Sequence, residues 1–315
     1  MIKTQITKDL KIKYPLIQGG MVWVSGAKLA AACSNAGILG VIGAGSMNPE
    51  LLDQHIKKCQ KLTKNPFAVN LPLLYKDIDK QLEVCLKNNV KIIITSAGSP
   101  KKYTKDLQNK GVYVIHVTSS LGLALKCEEA GVNAVVIEGF EAGGHNGREE
   151  LTSLVLIPKV AKELKIPVIA AGGFSSGESI YAGLSLGAEA IQMGTRFMMS
   201  LESSAHEKYK DYLKETTEKS TKLMMKKYIP VRLVENDFSH NIQTLEDHGA
   251  DKDSLTEALG RGRAKKGMLE GDITQGELEA GQVCGYINEI KPVSEIIDQM
   301  LVEFNQCRFR MNSIT

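Results

Sequence analysis

The chain has 315 residues, with 39 Lys and Arg, 36 Asp and Glu, and 43% hydrophobic residues. That length holds one large barrel domain or two ordinary ones, and the composition is that of a globular protein. A net charge of +3 on so long a chain does not point to nucleic acid as the main partner.

No stretch approaches ~18 uninterrupted apolar residues, so no membrane span is expected. The six cysteines, none at CxxC spacing, read as reduced thiols, and no His/Cys cluster has metal-ligand spacing. Lys3, Lys8 and Lys11 come before any apolar run, so no signal peptide is expected and the compartment reads as cytoplasmic.

Through the first two-thirds, short apolar runs alternate with longer amphipathic stretches. Runs bounded by Gly, Pro or Asn predict buried parallel strands at 14–18, 37–42, 66–70, 90–95, 112–116, 134–138, 167–171 and 190–193. Helices are predicted between them, at 26–36, 49–62, 78–88, 100–110 and 120–130. Eight alternating strands and helices predict an α/β fold, a closed (β/α)8 TIM barrel, with a doubly wound open sheet as the alternative.

After Arg196 the alternation stops. Residues 199–276 are polar and rich in Lys and Glu, and predict a small, mainly helical subdomain inserted after the eighth strand. The barrel then takes 1–198 and 277–315. Residues 277–304 read as a closing helix pair with Pro292 starting its second half, and the tail after Asn305 reads as frayed.

A barrel carries its active site at the C-terminal ends of the strands. Unusual residues gather at those ends: Gly19-Gly20-Met21, Asn70, Ser96-Ala97, His116, Glu138 through Gly147, Gly172-Gly173 and Gly194-Thr195. Glycine loops after the last two strands match a barrel phosphate site, where backbone N–H groups approach phosphate oxygens unobstructed. A phosphorylated sugar would use the same loops as a flavin. Met21 offers a soft thioether to a flat ring, and Asn70 and Ser96 offer hydrogen bonds to a polar ring edge. His145 stands among Gly143, Gly144 and Gly147, where an imidazole could move protons beside a planar ligand. His116 reads as a core or capping residue. Of the remaining histidines, which read mostly as surface residues, His206 lies nearest the barrel end. The basic run Arg261, Arg263, Lys265 and Lys266 reads as a solvated face.

On Gln18-Gly19-Gly20-Met21, Asn70, Glu138 through Gly147, Ala170 through Gly173 and Gln192 through Phe197, the chain resembles the nitronate monooxygenase family, formerly called 2-nitropropane dioxygenases. It is equally similar to the flavin-dependent enoyl-acyl-carrier-protein reductases of that fold. The resemblance implies non-covalent FMN and His145 as the catalytic residue. It implies cofactor contacts from Gly20, Met21, Asn70, Glu138, Gly143, Gly173, Gly194 and Thr195; Ser96, Ala97, Gly144 and Gly172 join them as neighbours in the same loops. The expected reaction is oxidation of alkyl nitronates with dioxygen. The alternative is an NAD(P)H-dependent enoyl-acyl-carrier-protein reductase or NADH-quinone reductase, with NADH or NADPH as co-substrate. The reductase reading would make acyl carrier protein a partner. A homodimer is compatible with either reading. The subdomain is expected to roof the pocket, with Met224, Met225, Tyr228 and Ile229 as apolar contacts.

Overall fold

Burial along the strands alternates as a closed barrel demands, because successive side chains of a strand point to opposite faces. Ile17, Leu39, Val41, Ala68, Ile94, Ile115, Val136 and Ile169 pack together inside the barrel. Their neighbours Leu16, Ile42, Val69, Ile93, Val114, Val135 and Ala170 turn outward, into the layer beneath the helices.

The computed structural model describes residues 2–314. Its strands are β1 (Leu16–Gln18), β2 (Gly40–Gly43), β3 (Phe67–Pro72), β4 (Ile92–Ser96), β5 (Tyr113–Thr118), β6 (Ala134–Glu138), β7 (Gly144–His145), β8 (Val168–Ala171), β9 (Ala190–Met193), β10 (Thr221–Met224) and β11 (Val231–Val234). Eight run parallel in the order β1-β9-β8-β6-β5-β4-β3-β2. The ends of this sheet meet where Leu39 N–H donates to Leu16 O and Gln18 N–H donates to Leu39 O. The predicted barrel and all eight predicted strands are present; the open sheet is not.

A short helix at Gln5–Asp9, closed by a Thr4 capping box, was not anticipated. It sends Ile6 and Leu10 into the barrel interior. The predicted closing helix pair is a single helix, Val293–Asn312, capped by Pro292. Residues 277–292 hold only a 3-10 turn, Gln282–Tyr286. Gly281 and Gly285 explain this, since a Cβ on either would meet neighbouring backbone. The tail after Asn305 is not frayed: the helix continues, with Cys307 buried.

The segment after β9 is mainly helical, with helices at Glu207–Lys214, Asp237–Asp247 and Lys252–Leu259. It also contains the β10–β11 hairpin, which the polar composition concealed. β11 pairs antiparallel with β10 on one edge and with β7 on the other. The hairpin therefore reaches the barrel loop that carries His145.

Candidate active site

The loop after β1 meets β3 and the loop after β9 at the barrel mouth. A Cβ on Gly20 would lie 2.4 Å from Asn70 Cβ, so only glycine lets the chain pass. Asn70 Nδ2 donates to Ile94 O at 3.3 Å, which fixes the amide against β4. Met21 Sδ lies 3.5 Å from the Cβ position of Gly194. Gly20, Met21, Asn70 and Gly194 are thus brought together. Ser96 ends β4, and Ala97 follows with φ +51, a left-handed turn uncommon for alanine.

The ends of β6 and β8 are equally close. Gly139 N–H donates to Ala171 O at 3.0 Å, and a Cβ on Gly172 would meet the Gly139 backbone. Gly172 and Gly173 have φ +89 and +78, in the region that favours glycine. Ser153 Oγ donates to Gly172 O at 2.7 Å and holds that turn. Thr195 Oγ1 accepts from Gly281 N–H at 2.9 Å.

Three polar groups at this mouth lack partners among the described residues. Burial lifts the Glu138 carboxyl to about 7, and no side chain or backbone N–H answers it. Gln192 Oε1 and Thr118 Oγ1 are buried with no hydrogen bond. An unsatisfied buried polar group costs roughly 1–3 kcal/mol, so such groups commonly mark a ligand's place. Together with the two glycine loops they fit a phosphorylated group that carries hydroxyls and ring N–H donors.

A cavity of about 180 Å³ lies beside this cradle. Val22 and Trp23, directly after Met21, form one wall, and Met225, Tyr228 and Ile229 another; His145, Glu277 and Glu279 supply the polar groups. None of the residues expected to touch a cofactor lines it. Three of the four predicted pocket residues do. Met224 does not: it is fully buried in the segment's own apolar cluster with Leu233 and Phe238. The chain turns between the two methionines, Met225 having φ +58.

The glycines around His145 also pass close to neighbouring protein atoms. A Cβ on Gly143 would strike the Ala280–Gly281 backbone, one on Gly144 the Glu279 carboxyl, and one on Gly147 the Ser119 side chain. They let the loop pack against residues 279–281 and Ser119. His145 itself is exposed to the cavity and pairs with Val231. His116 is a buried residue 2.7 Å from Thr95 Oγ1, and burial lowers it to about 4. His206 caps a helix by accepting from Lys208 N–H at 3.2 Å. His55, half-buried rather than a plain surface residue, accepts from Ala27 N–H. Of the basic run, Lys265 and Lys266 pair with Glu270 and Asp272, whereas Arg263 lies over the Phe238 ring.

Sequence reasoning missed Trp23, Gln192, Glu277, Glu279 and Arg232 as parts of the site. Alternation in Glu277-Leu278-Glu279-Ala280 was the available signal, since it places both glutamates on one face of an extended run. Arg232 is fully buried; it donates to Phe140 O at 2.8 Å and lies 4.4 Å over the Phe140 ring.

Among the described residues no group of three or more His, Cys, Asp or Glu is arranged to hold a metal ion, and no helix is long and apolar enough to cross a membrane. Fold and site define the class of the protein: a barrel oxidoreductase of the flavoprotein type. The chain belongs to the nitronate monooxygenase family, whose model matches residues 3–81 and 75–303. A probable nitronate monooxygenase of Staphylococcus saprophyticus is 32% identical, over 85% of this chain and 90% of that protein. The structure of FabK, an enoyl-acyl-carrier-protein reductase, from Thermotoga maritima is 39% identical, covers 100% of both chains and superposes with a TM-score of 0.95. A nitroalkane oxidase from Streptomyces ansochromogenes is 27% identical, covers 97% of this chain and 99% of its own, and has a TM-score of 0.83.

Proposed function

We propose that the protein is an FMN-dependent oxidoreductase that oxidises alkyl nitronates with dioxygen. The observation that supports this reading is the position of His145, which follows Gly143 and Gly144 in the loop after β6 and lines a small, largely apolar cavity. Gly172, Gly173, Gly194 and Thr195 would hold the FMN phosphate. Glu138, with Gln192 and Thr118, would accept hydrogen bonds from its hydroxyls and ring N–H groups, and Gly20, Met21, Asn70, Ser96, Ala97, Gly143 and Gly144 would complete the contacts. Bound there, FMN supplies the two-electron chemistry that amino-acid side chains lack.

The chain's own contribution is positioning and proton handling. His145 would orient the nitronate or accept the proton that a nitroalkane loses in forming it. Trp23, Met225, Tyr228 and Ile229 would carry the alkyl part and exclude water. We take 199–276 as the subdomain that covers the substrate. Oxygen uptake on addition of a short alkyl nitronate to the flavin-loaded enzyme tests this; no uptake with any nitronate overturns it.

A second reading has its own support in the full-length similarity to FabK. In it, NADH or NADPH is the electron donor and the acceptor is an enoyl thioester presented by acyl carrier protein. His145 would then donate to the thioester carbonyl. NADH or NADPH oxidation driven by a short enoyl thioester, without oxygen uptake, would select it.

A further inference from the structure

The cavity contains two carboxyl groups that neither reading uses. Glu277 is 7% exposed, and Glu279 lies two residues on. Neither carboxyl has a hydrogen-bond partner among the described residues, and both line the cavity with His145.

The hairpin explains how the three groups come together. His145 is the antiparallel partner of Val231, and Glu279 is bridged to Leu233 on the same strand. Opposed residues of an antiparallel pair share a face, as do residues two apart along a strand. His145 and Glu279 therefore stand on one face, two strand steps apart, roughly 7 Å by the rise of a strand. Glu277 extends the same face by two residues.

Charge follows from this geometry. Burial, together with the nearby Glu279 carboxyl, raises Glu277 to about 8 against the opposing pull of His145 and Arg263. Burial raises Glu279 to about 7. Like charges this close do not both ionise readily, so the two carboxyls titrate as a unit. The basic groups around them are His145 from the barrel loop and Arg263 from the segment after β9. The Arg263 guanidinium is committed to Leu259 O, Gln275 O and the Phe238 ring. Arg232 is tied to Phe140 O and Thr221. Tyr209 OH donates to the Glu279 backbone and leaves its carboxyl free.

We propose that Glu277 and Glu279 are positioning residues that act on His145 as one proton-sharing pair, and that this pair sets the alkaline edge of activity. The inference rests on the reading of His145 as the reacting imidazole. When His145 gives its proton to bound substrate, the pair's shared proton replaces it and two carboxylates remain; a solvent proton restores the pair. One proton leaves the pair and one enters it in each turnover.

The experiment is stopped-flow reduction of the flavin-loaded enzyme by a short alkyl nitronate, with NADH as a parallel reductant, from about pH 6 to about pH 9. It is run on the wild type, Glu277→Gln, Glu279→Gln, the double variant and His145→Ala, with flavin content measured for each. The wild-type rate is expected to fall as pH rises through the pair's range. Glu279→Gln should move that edge to lower pH, because Glu277 loses its like-charged neighbour. The double variant should lose the edge and react about 10- to 100-fold more slowly with flavin retained, a fraction of a full acid–base contribution. Single variants with the wild-type rate and pH profile, while His145→Ala is slow, would overturn the pair alone. Wild-type rates in His145→Ala would overturn the reading beneath it.

Discussion

Val231 of the hairpin stands directly opposite His145, and Arg232 beside it stands opposite Gly144. The histidine therefore takes its place from two sources. Its loop leaves the end of β6, and its backbone is completed by a strand that lies some 85 residues further along the chain. An edge strand of two residues cannot hold itself, so the hairpin fixes the direction in which the imidazole points.

Arg232→Ala should loosen that arrangement. The guanidinium is buried and donates to Phe140 O and Thr221 Oγ1, so its removal leaves buried acceptors unpaired between the hairpin and the barrel loop. A loss of about 1–3 kcal/mol is expected. Thermal denaturation of the flavin-loaded protein checks it, with a fall of roughly 2–4 °C per kcal/mol for a chain of this size or somewhat less. An unchanged midpoint would show that the arginine does not hold the hairpin to the barrel loop.

His145→Ala should leave FMN bound and lower turnover by roughly 10²–10⁴, the usual weight of general acid–base catalysis. Flavin absorbance per protein and kcat measured together separate the two effects. Near wild-type turnover with full flavin would make the histidine a structural loop residue.

Gly194→Leu should strip the flavin while the barrel still folds. The Cβ position already touches Met21 Sδ at 3.5 Å, so a longer side chain must push into the β1 loop or over the phosphate loop. Gly173→Leu adds backbone strain, since φ there is +78. Flavin content after purification, with far-ultraviolet circular dichroism as the control for folding, reads the outcome. Full occupancy in both variants would exclude these loops as the phosphate site.

Glu138 gives a pH dependence with a definite sign. Burial raises its carboxyl from 4.5 to about 7, so the folded, flavin-free chain binds this proton more tightly than the unfolded chain does. Its contribution to stability is present below about 4.5 and is lost as pH rises to about 7, a change of at most about 3 kcal/mol. The flavin-free wild type should therefore lose stability relative to Glu138→Gln over that interval. Parallel denaturation curves for the two proteins would refute this.

The sequence carried the eight barrel strands because each is a short apolar run bounded by turn-forming residues, and such runs need no distant partner to be recognised; the helix Gln5–Asp9, which fills the barrel interior, has no such local signal. The clustering of Gly20, Asn70, Gly172, Gly173 and Gly194 at one end of the barrel was legible for the same reason: they sit at strand ends, and the barrel brings strand ends together. The hairpin was hidden. Thr221-Lys222-Leu223-Met224 is half polar, and its strand character depends on pairing with β11. Without the hairpin, nothing local places Glu277 and Glu279 beside His145. Met224 and Met225 are adjacent in sequence and diverge in space, a separation produced by one left-handed residue that composition does not announce.

Anaerobic mixing of the flavin-loaded enzyme with a short alkyl nitronate, and separately with NADH and NADPH, tests the central claim most directly. The account predicts that the nitronate alone bleaches the flavin absorbance and that readmitted dioxygen restores it. Bleaching by NADH or NADPH, with the nitronate leaving the flavin oxidised, would contradict nitronate oxidation and establish the reductase chemistry instead.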